Sequence, residues 1–182
     1  MKKRLFSTQD TARIAICTVF LIICSWISIP APIPFSMQSF GAVLVCLLLT
    51  RRQSLFTIIT YILLGMVGLP VFAGFRTGAA VISGPTGGYI IGFLCLPFVI
   101  VRNSARACQK KLVSFFLIYS GMLIVYTFGT LWYALIFSGS EKGLLPILSV
   151  CVFPYLLPDI AKTFLAIILA ERLNGKFLSV FQ

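Results

Sequence analysis

Pro154-Tyr155-Leu156-Leu157-Pro158-Asp159-Ile160-Ala161-Lys162 sets an acid and a base inside a chain whose apolar segments otherwise avoid charge. Asp159 and Lys162 are three residues apart, so on a helix they share one face. Each costs about 2.5–3.5 kcal/mol at the centre of a bilayer, and a charge retained there is a functional candidate by default. Pro158 suits the first position of a helix, where its missing N–H does no harm. The spacing therefore predicts a helix from Pro158 to Arg172 with the pair in its opening turns, beside the positive end of the helix dipole. Such a helix is about 22 Å long, short of the roughly 30 Å hydrocarbon layer. It is predicted to begin below the membrane rim and open its N-terminus into a cavity. Two readings of the pair follow: a polar ligand site, or an ion pair closing a gap between helices.

Working outward, the chain is apolar almost everywhere else. Of 182 residues, 59% are hydrophobic, with 15 Lys and Arg, 4 Asp and Glu, no His and a net charge of +11; mean hydropathy is +1.05. This composition belongs to an integral membrane protein, read as a single all-α transmembrane domain over 1–182. The positive charge does not point to nucleic acid, because the basic residues form short clusters between apolar runs instead of one face interleaved with aromatics. Absence of His excludes a His-based metal site or catalytic triad, and the sequence implies no cofactor. Cys17, Cys24, Cys46, Cys95, Cys108 and Cys151 form no Cys-x-x-Cys and, Cys108 apart, lie in apolar runs, where they read as small buried hydrophobes.

Six membrane spans are predicted. The first, Ala12 to Ile29, is about 27 Å long and is read as a retained helix instead of a cleaved leader; Pro30-Ala31-Pro32-Ile33-Pro34 ends it in an extended path. The second runs from about Ser36 to Thr50 with Gln38 near its entrance, Arg51 and Arg52 make the next turn, and the third runs from about Ser54 to Leu69. Between Gly65 and Gly92 lie eight of the fourteen glycines, yet Leu69 to Ser83 is apolar, with Arg76 as its single charge. Irregular backbone at a membrane must be buried in protein or line a cavity, so this segment reads as a re-entrant or capping loop. Gly84-Pro85-Thr86-Gly87-Gly88-Tyr89 opens the fourth span, which runs to about Val101, and the backbone N–H groups of that start suit an anion or a carbonyl. The fifth, about Leu112 to Phe137, carries Tyr126, Gly129 and Trp132 on a broad face. Trp132 fits an interfacial aromatic belt as well as a ligand wall, whereas Tyr126 is deeper and favours a pocket.

The basic residues set the orientation. Lys2, Lys3, Arg4, Arg13, Arg51, Arg52, Arg102, Arg106, Lys110, Lys111, Arg172 and Lys176 fall on one side of this topology, and Arg76 and Lys142 on the other. The positive-inside rule then puts both termini in the cytoplasm. Pro30 to Phe35, the loop carrying Arg76 and the start of the last helix meet on the extracytoplasmic face. The expected location is the cell membrane, multi-pass, in a bacterial inner or plasma membrane.

Five motifs now stand in order: Ile29-Pro30-Ala31-Pro32-Ile33-Pro34 with Gln38; Leu63-Leu64-Gly65-x-x-Gly68-Leu69-Pro70-Val71-Phe72-Ala73-Gly74; Gly84-Pro85-Thr86-Gly87-Gly88-Tyr89-x-x-Gly92; Tyr126-x-x-Gly129-x-x-Trp132; and Leu157-Pro158-Asp159-x-x-Lys162. Over about Ile29 to Leu173 the chain resembles the BioY family, the biotin-binding S components of energy-coupling factor (ECF) vitamin transporters. The resemblance implies six helices, a loop capping an outward-facing vitamin pocket, biotin contacts at Asp159 and Lys162, and association with a transmembrane coupling protein and a pair of ATPases. Gln38, Arg76, Tyr89, Tyr126, Trp132 and the glycines Gly84, Gly87 and Gly88 complete the candidate site. Two departures are visible. Asp159 follows Pro158 directly, without the family's intervening Gly, and Phe75, Thr77 and Ala79 stand in a usually glycine-rich run, which predicts a stiffer lid or a shifted affinity. S components often dock through an Ala-x-x-x-Ala surface on the first helix; here Ala12 and Ala15 are the docking candidates, but their i+4 positions are Ile16 and Val19.

Two other function classes compete. A membrane enzyme would use Asp159 and Lys162 as acid and base, but no activated nucleophile or second carboxylate accompanies them in the apolar region. A self-sufficient secondary transporter of biotin or a related vitamin would show an internal repeat and ion-coupling residues, and neither is evident.

Overall fold

The computed structural model describes residues 7–30, 34–100, 111–137 and 152–179. Helix α1, Thr8–Trp26, starts where Ser7 and Asp10 cap each other reciprocally. A two-residue antiparallel hairpin follows, β1 Ser28–Ile29 paired with β2 Phe35–Ser36, and Met37 donates its N–H to the Ile27 carbonyl at 2.9 Å to extend the ladder. The alternate prolines had predicted only an extended path. Helix α2 is Gln38–Leu48 and α3 is Arg51–Val67. Arg51 and Arg52, read as a turn, are instead the first helical residues of α3, because Thr50 and Gln53 form a second capping box ahead of them. Gly68, at φ 111, ends α3 in the left-handed conformation that favours glycine.

A single 3-10 turn, Ala73–Phe75, leads to the short α4, Ala79–Ser83. The fourth predicted span is broken: α5 is Gly87–Gly92, a 3-10 turn covers Phe93–Cys95, and α6 is Leu96–Val99. The interruption has a cause in Pro97, which has no N–H to return to the Phe93 carbonyl; Leu96 donates to that carbonyl instead. Helix α7 is Lys111–Phe137 and α8 is Phe153–Ser179.

The last helix corrects the sequence reading. It begins at Phe153, so Pro154 occupies the tolerant first turn and Pro158 lies inside the helix. Asp159 and Lys162 are therefore not in the opening turns, the dipole argument made for them falls, and the helix is not short: its 27 residues reach about 40 Å. Arg102, Arg106 and Lys110, the loop with Glu141 and Lys142, Pro146, Lys2, Lys3, Arg4, Cys108, Cys151 and Ala31 to Ile33 lie outside the described residues.

Three helical stretches among the described residues are long and apolar enough to cross a membrane: Thr8–Trp26, Val113–Ile136 and Phe153–Leu173. Gln38–Leu48 and Gly87–Val99 are shorter apolar stretches. Their outward faces carry Ile16, Val19, Phe116, Leu131, Leu135 and Phe164, all exposed, as expected where the neighbour is lipid. Inside, α2 lies along α8, α5 along α7, and α1 against α2 and α3. Tyr61, Phe72, Leu21, Leu44, Ile58, Leu96 and Ile118 are the largest fully buried side chains. The α5–α7 seam is close because it is built on glycine. A Cβ on Gly88 would come within 2.3 Å of Trp132 Cβ, and one on Gly129 within 2.3 Å of the Tyr89 ring.

Candidate binding site

The intrahelical ion pair is the floor of the site. Lys162 Nζ lies 2.8 Å from Asp159 Oδ1, and both residues are buried, at 7% and 5% exposure. Burial of both charges is tolerable because almost every polar valence is met. Asp159 Oδ2 accepts the hydroxyl of Tyr126 from α7, and Oδ1 also accepts Ser39 Oγ from α2 at 3.2 Å. Lys162 donates to the Ser36 carbonyl of β2 at 2.7 Å and to Ser39 Oγ at 3.3 Å, and its ammonium stands 4.0 Å from the centre of the Phe35 ring. Four elements thus meet at two side chains. All three ammonium N–H groups are engaged, whereas the carboxylate, with about four acceptor positions, keeps one.

Above this floor is a cleft of about 710 Å³, its open mouth included. Asp159, Lys162, Gln38, Arg76, Tyr89 and Tyr126 all line it, so the structure brings six of the sequence-predicted residues together. Phe72, Ile90, Phe93, Met122 and Val125 supply an apolar wall. Gln38 donates from Nε2 to the Tyr61 hydroxyl at 3.0 Å, which leaves its carbonyl oxygen available, and the Tyr89 hydroxyl lies 3.5 Å from Thr130 Oγ1. Arg76 is exposed at the mouth.

Gly84, Gly87, Gly88 and Trp132 do not line the cleft. Trp132 donates Nε1–H to the Gly84 carbonyl at 3.0 Å, and Gly88 is the glycine that lets the Trp132 side chain approach. These residues fix the start of α5, and through it Tyr89. The anion-cradle reading of that glycine run has no cleft to serve: α5 has six residues, Gly87 is closed by the Ile82 backbone of α4, and Gly88 and Gly92 are closed by α7. Ala12, half-buried, and Ala15, exposed, sit on α1 away from the cleft. Sequence reasoning missed Ser36, Ser39 and Tyr155, all of which line the cleft. Tyr155 was accessible to it, since Tyr155, Asp159 and Lys162 follow i, i+4, i+7 spacing on one helical face.

The BioY family model matches residues 1–178. The chain belongs to the BioY family. Among BioY relatives, a probable biotin transporter of Pyrococcus horikoshii is 39% identical over 144 residues, covering 79% of this chain and 82% of the relative. A biotin transporter of Thermotoga maritima is 35% identical over 169 residues, covering 91% and 96%. The crystal structure of the S-component for biotin from an ECF-type ABC transporter matches this BioY chain with a TM-score of 0.82 and 26% identity, covering 94% of this chain and 95% of that one. The expected family and an S-component fold therefore hold, and the chain is a membrane protein.

Proposed function

We propose that this chain is the membrane-embedded, biotin-binding subunit of an ECF-type uptake system. It is a transport protein and not an enzyme, as its family and relatives are. The observation that carries the reading is the coincidence of family membership over nearly the whole chain with one apolar cleft that holds a buried acid, a buried base and an arginine at its mouth.

Biotin is suited to such a cleft. Its ureido group has two N–H donors and a carbonyl, its ring system is apolar, and its valeryl chain ends in a carboxylate. In this proposal Asp159 accepts a ureido N–H through its remaining acceptor position, the apolar wall takes the rings, and Arg76 reaches the carboxylate. Lys162 donates to the ureido oxygen by exchanging one of its present partners, Ser39 being the weakest held at 3.3 Å. Gln38, Tyr89 and Tyr126 complete the polar lining.

The proposal extends to topology and assembly. The chain is a single domain of six spans with an extracytoplasmic mouth capped by the Gly68 to Gly88 segment, multi-pass in the plasma membrane, and the distribution of Lys and Arg supports cytoplasmic termini. The partners are a transmembrane coupling protein and ATPase subunits. The test is direct: the chain is purified in detergent or nanodiscs and equilibrated with labelled biotin. Stoichiometric retention is expected; no retention, in a preparation that remains monodisperse, would refute the assignment.

A further inference from the structure

The connection between α3 and α4 brings Arg76 to the cleft, and its two halves are held differently. The first half is locked into the core. Phe72 is 1% exposed, edge-on to Tyr61 with ring centres 5.5 Å apart, and pressed on Gly65, where a Cβ would fall 2.1 Å from its ring. Ser25 of α1 donates its hydroxyl to the Val71 carbonyl. The second half is tied to α3 at one point, where Gly78 donates its N–H to the Gly65 carbonyl at 2.8 Å, and otherwise turns on residues of positive φ. Gly74 and Gly78 take φ 69 and 87, and Phe75 between them sits at φ 58, the one non-glycine residue with positive φ among the described residues. A bulky side chain disfavours that backbone conformation, which persists only where its surroundings impose it.

Core burial does not impose it here, because Phe75 is 60% exposed. Its ring stacks on Trp26, the last residue of α1, at 5.1 Å and 27°. Trp26 in turn donates Nε1–H to the Pro70 carbonyl at 2.7 Å, so one indole grips the segment at both ends. Phe72 N–H bonds the Arg76 carbonyl at 3.1 Å, closing the turn and making the placement of Arg76 follow that of Phe75. Neither Trp26 nor Phe75 lines the cleft, while Phe72, Ala73 and Arg76 do.

We propose that Trp26 and Phe75 form a clasp that positions Arg76 over the cleft, so that ligand leaves when the aromatic stack parts. Opening lets Phe75 relax to an ordinary φ and swings Arg76 aside about Gly74 and Gly78, while Phe72 stays in the core. Trp26 and Phe75 are positioning residues with no ligand contact of their own. The inference rests on the biotin reading above.

The test is the dissociation rate of labelled biotin from the purified full chain, chased with unlabelled biotin. Trp26→Ala and Phe75→Ala should each speed release about tenfold, the loss of one stacked pair or one hydrogen-bonded indole, and neither should speed it further in a chain that already carries Arg76→Ala, because the residues act as one unit. Trp26→Phe keeps the stack without the N–H, and should fall between Trp26→Ala and the parent. A second readout needs no kinetics. The chain has two Trp, so the difference in acrylamide quenching between the parent and Trp26→Phe reports Trp26, and that quenching should fall when biotin binds. Unchanged release in Trp26→Ala, effects that add fully to Arg76→Ala, or quenching indifferent to biotin would each overturn the clasp. Failure of the parent chain itself to retain biotin would instead strike the ligand assignment.

Discussion

At the scale of single residues, the site divides into groups that hold each other and groups free to meet a ligand. Asp159 is the pivot, because it alone joins α8 to both Tyr126 and Ser39. Truncating one partner of a buried charged contact costs roughly 2–5 kcal/mol, so Asp159→Asn and Lys162→Met should each weaken biotin binding by roughly 30-fold or more, measured by equilibrium binding on protein that still inserts. Near-parental affinity in both would reduce the pair to a structural brace. Trp132→Phe serves as the contrast: the indole bonds the Gly84 carbonyl and not the cleft, so affinity should stay within about threefold, while the loss of one hydrogen bond lowers stability by about 1 kcal/mol. Why some of these residues were legible in the sequence and others not has a physical answer. An acid, a base or an arginine in an apolar run is conspicuous because its desolvation must be compensated. Ser39 carries no such signal, since a hydroxyl in a membrane helix can bond its own backbone, and Ser36 in the hairpin is inconspicuous too. Ser36 moreover acts through its carbonyl, which every residue has.

Elements were legible where local chemistry is unambiguous. Helices α1, α2, α3 and α7 lie within a few residues of the hydropathy runs, and the early starts of α1 and α3 trace to capping boxes at Ser7 and Thr50. The last helix was misread because Pro154 and Pro158 both fit a helix start, and only tertiary packing of the preceding turn against the hairpin side chain, Tyr155 on Phe35 at 6.2 Å, favours the earlier one. The hairpin itself depends on pairing between Ser28–Ile29 and Phe35–Ser36 across a proline-rich segment, which local propensity does not report. The α5–α7 seam gives a prediction at this scale. Gly88→Ala would drive a methyl into Trp132 Cβ and toward the Phe128 carbonyl; overpacking of this kind costs about 1–3 kcal/mol, visible as a lower midpoint in thermal unfolding, with biotin affinity falling as Tyr89 shifts. Orientation is tested with the connection that carries Arg76: Thr77→Cys, at an exposed position, should react with an impermeant thiol reagent on intact cells. Reaction only after the cells are opened would invert the proposed topology.

At the scale of the whole molecule, the chain has a cleft for a ligand and no evident means of driving it uphill. No Walker A sequence occurs, so the proposed assembly takes its energy from partner ATPases. Liposomes containing this chain alone should bind biotin without accumulating it, and should accumulate it once the coupling protein, the ATPases and ATP are supplied; concentrative uptake by the chain alone would revive the secondary transporter. Large residues at Ile16 and Val19 replace the small partners of Ala12 and Ala15, so Ile16→Ala is expected to strengthen or leave unchanged the docking of the coupling protein in a pull-down, and a marked loss would show that the bulky face is itself the contact. The glycine-built seam has a last consequence, for motion. Where α5 and α7 touch, even a methyl has no room, whereas the opposite wall of the cleft is a hairpin and a turn on glycine pivots. Backbone amides of Tyr89 to Gly92 and Val125 to Gly129 should therefore exchange with deuterium orders of magnitude more slowly than those of Gly74 to Thr77, so that the cavity behaves as a stiff half facing a compliant one and breathes from a single side.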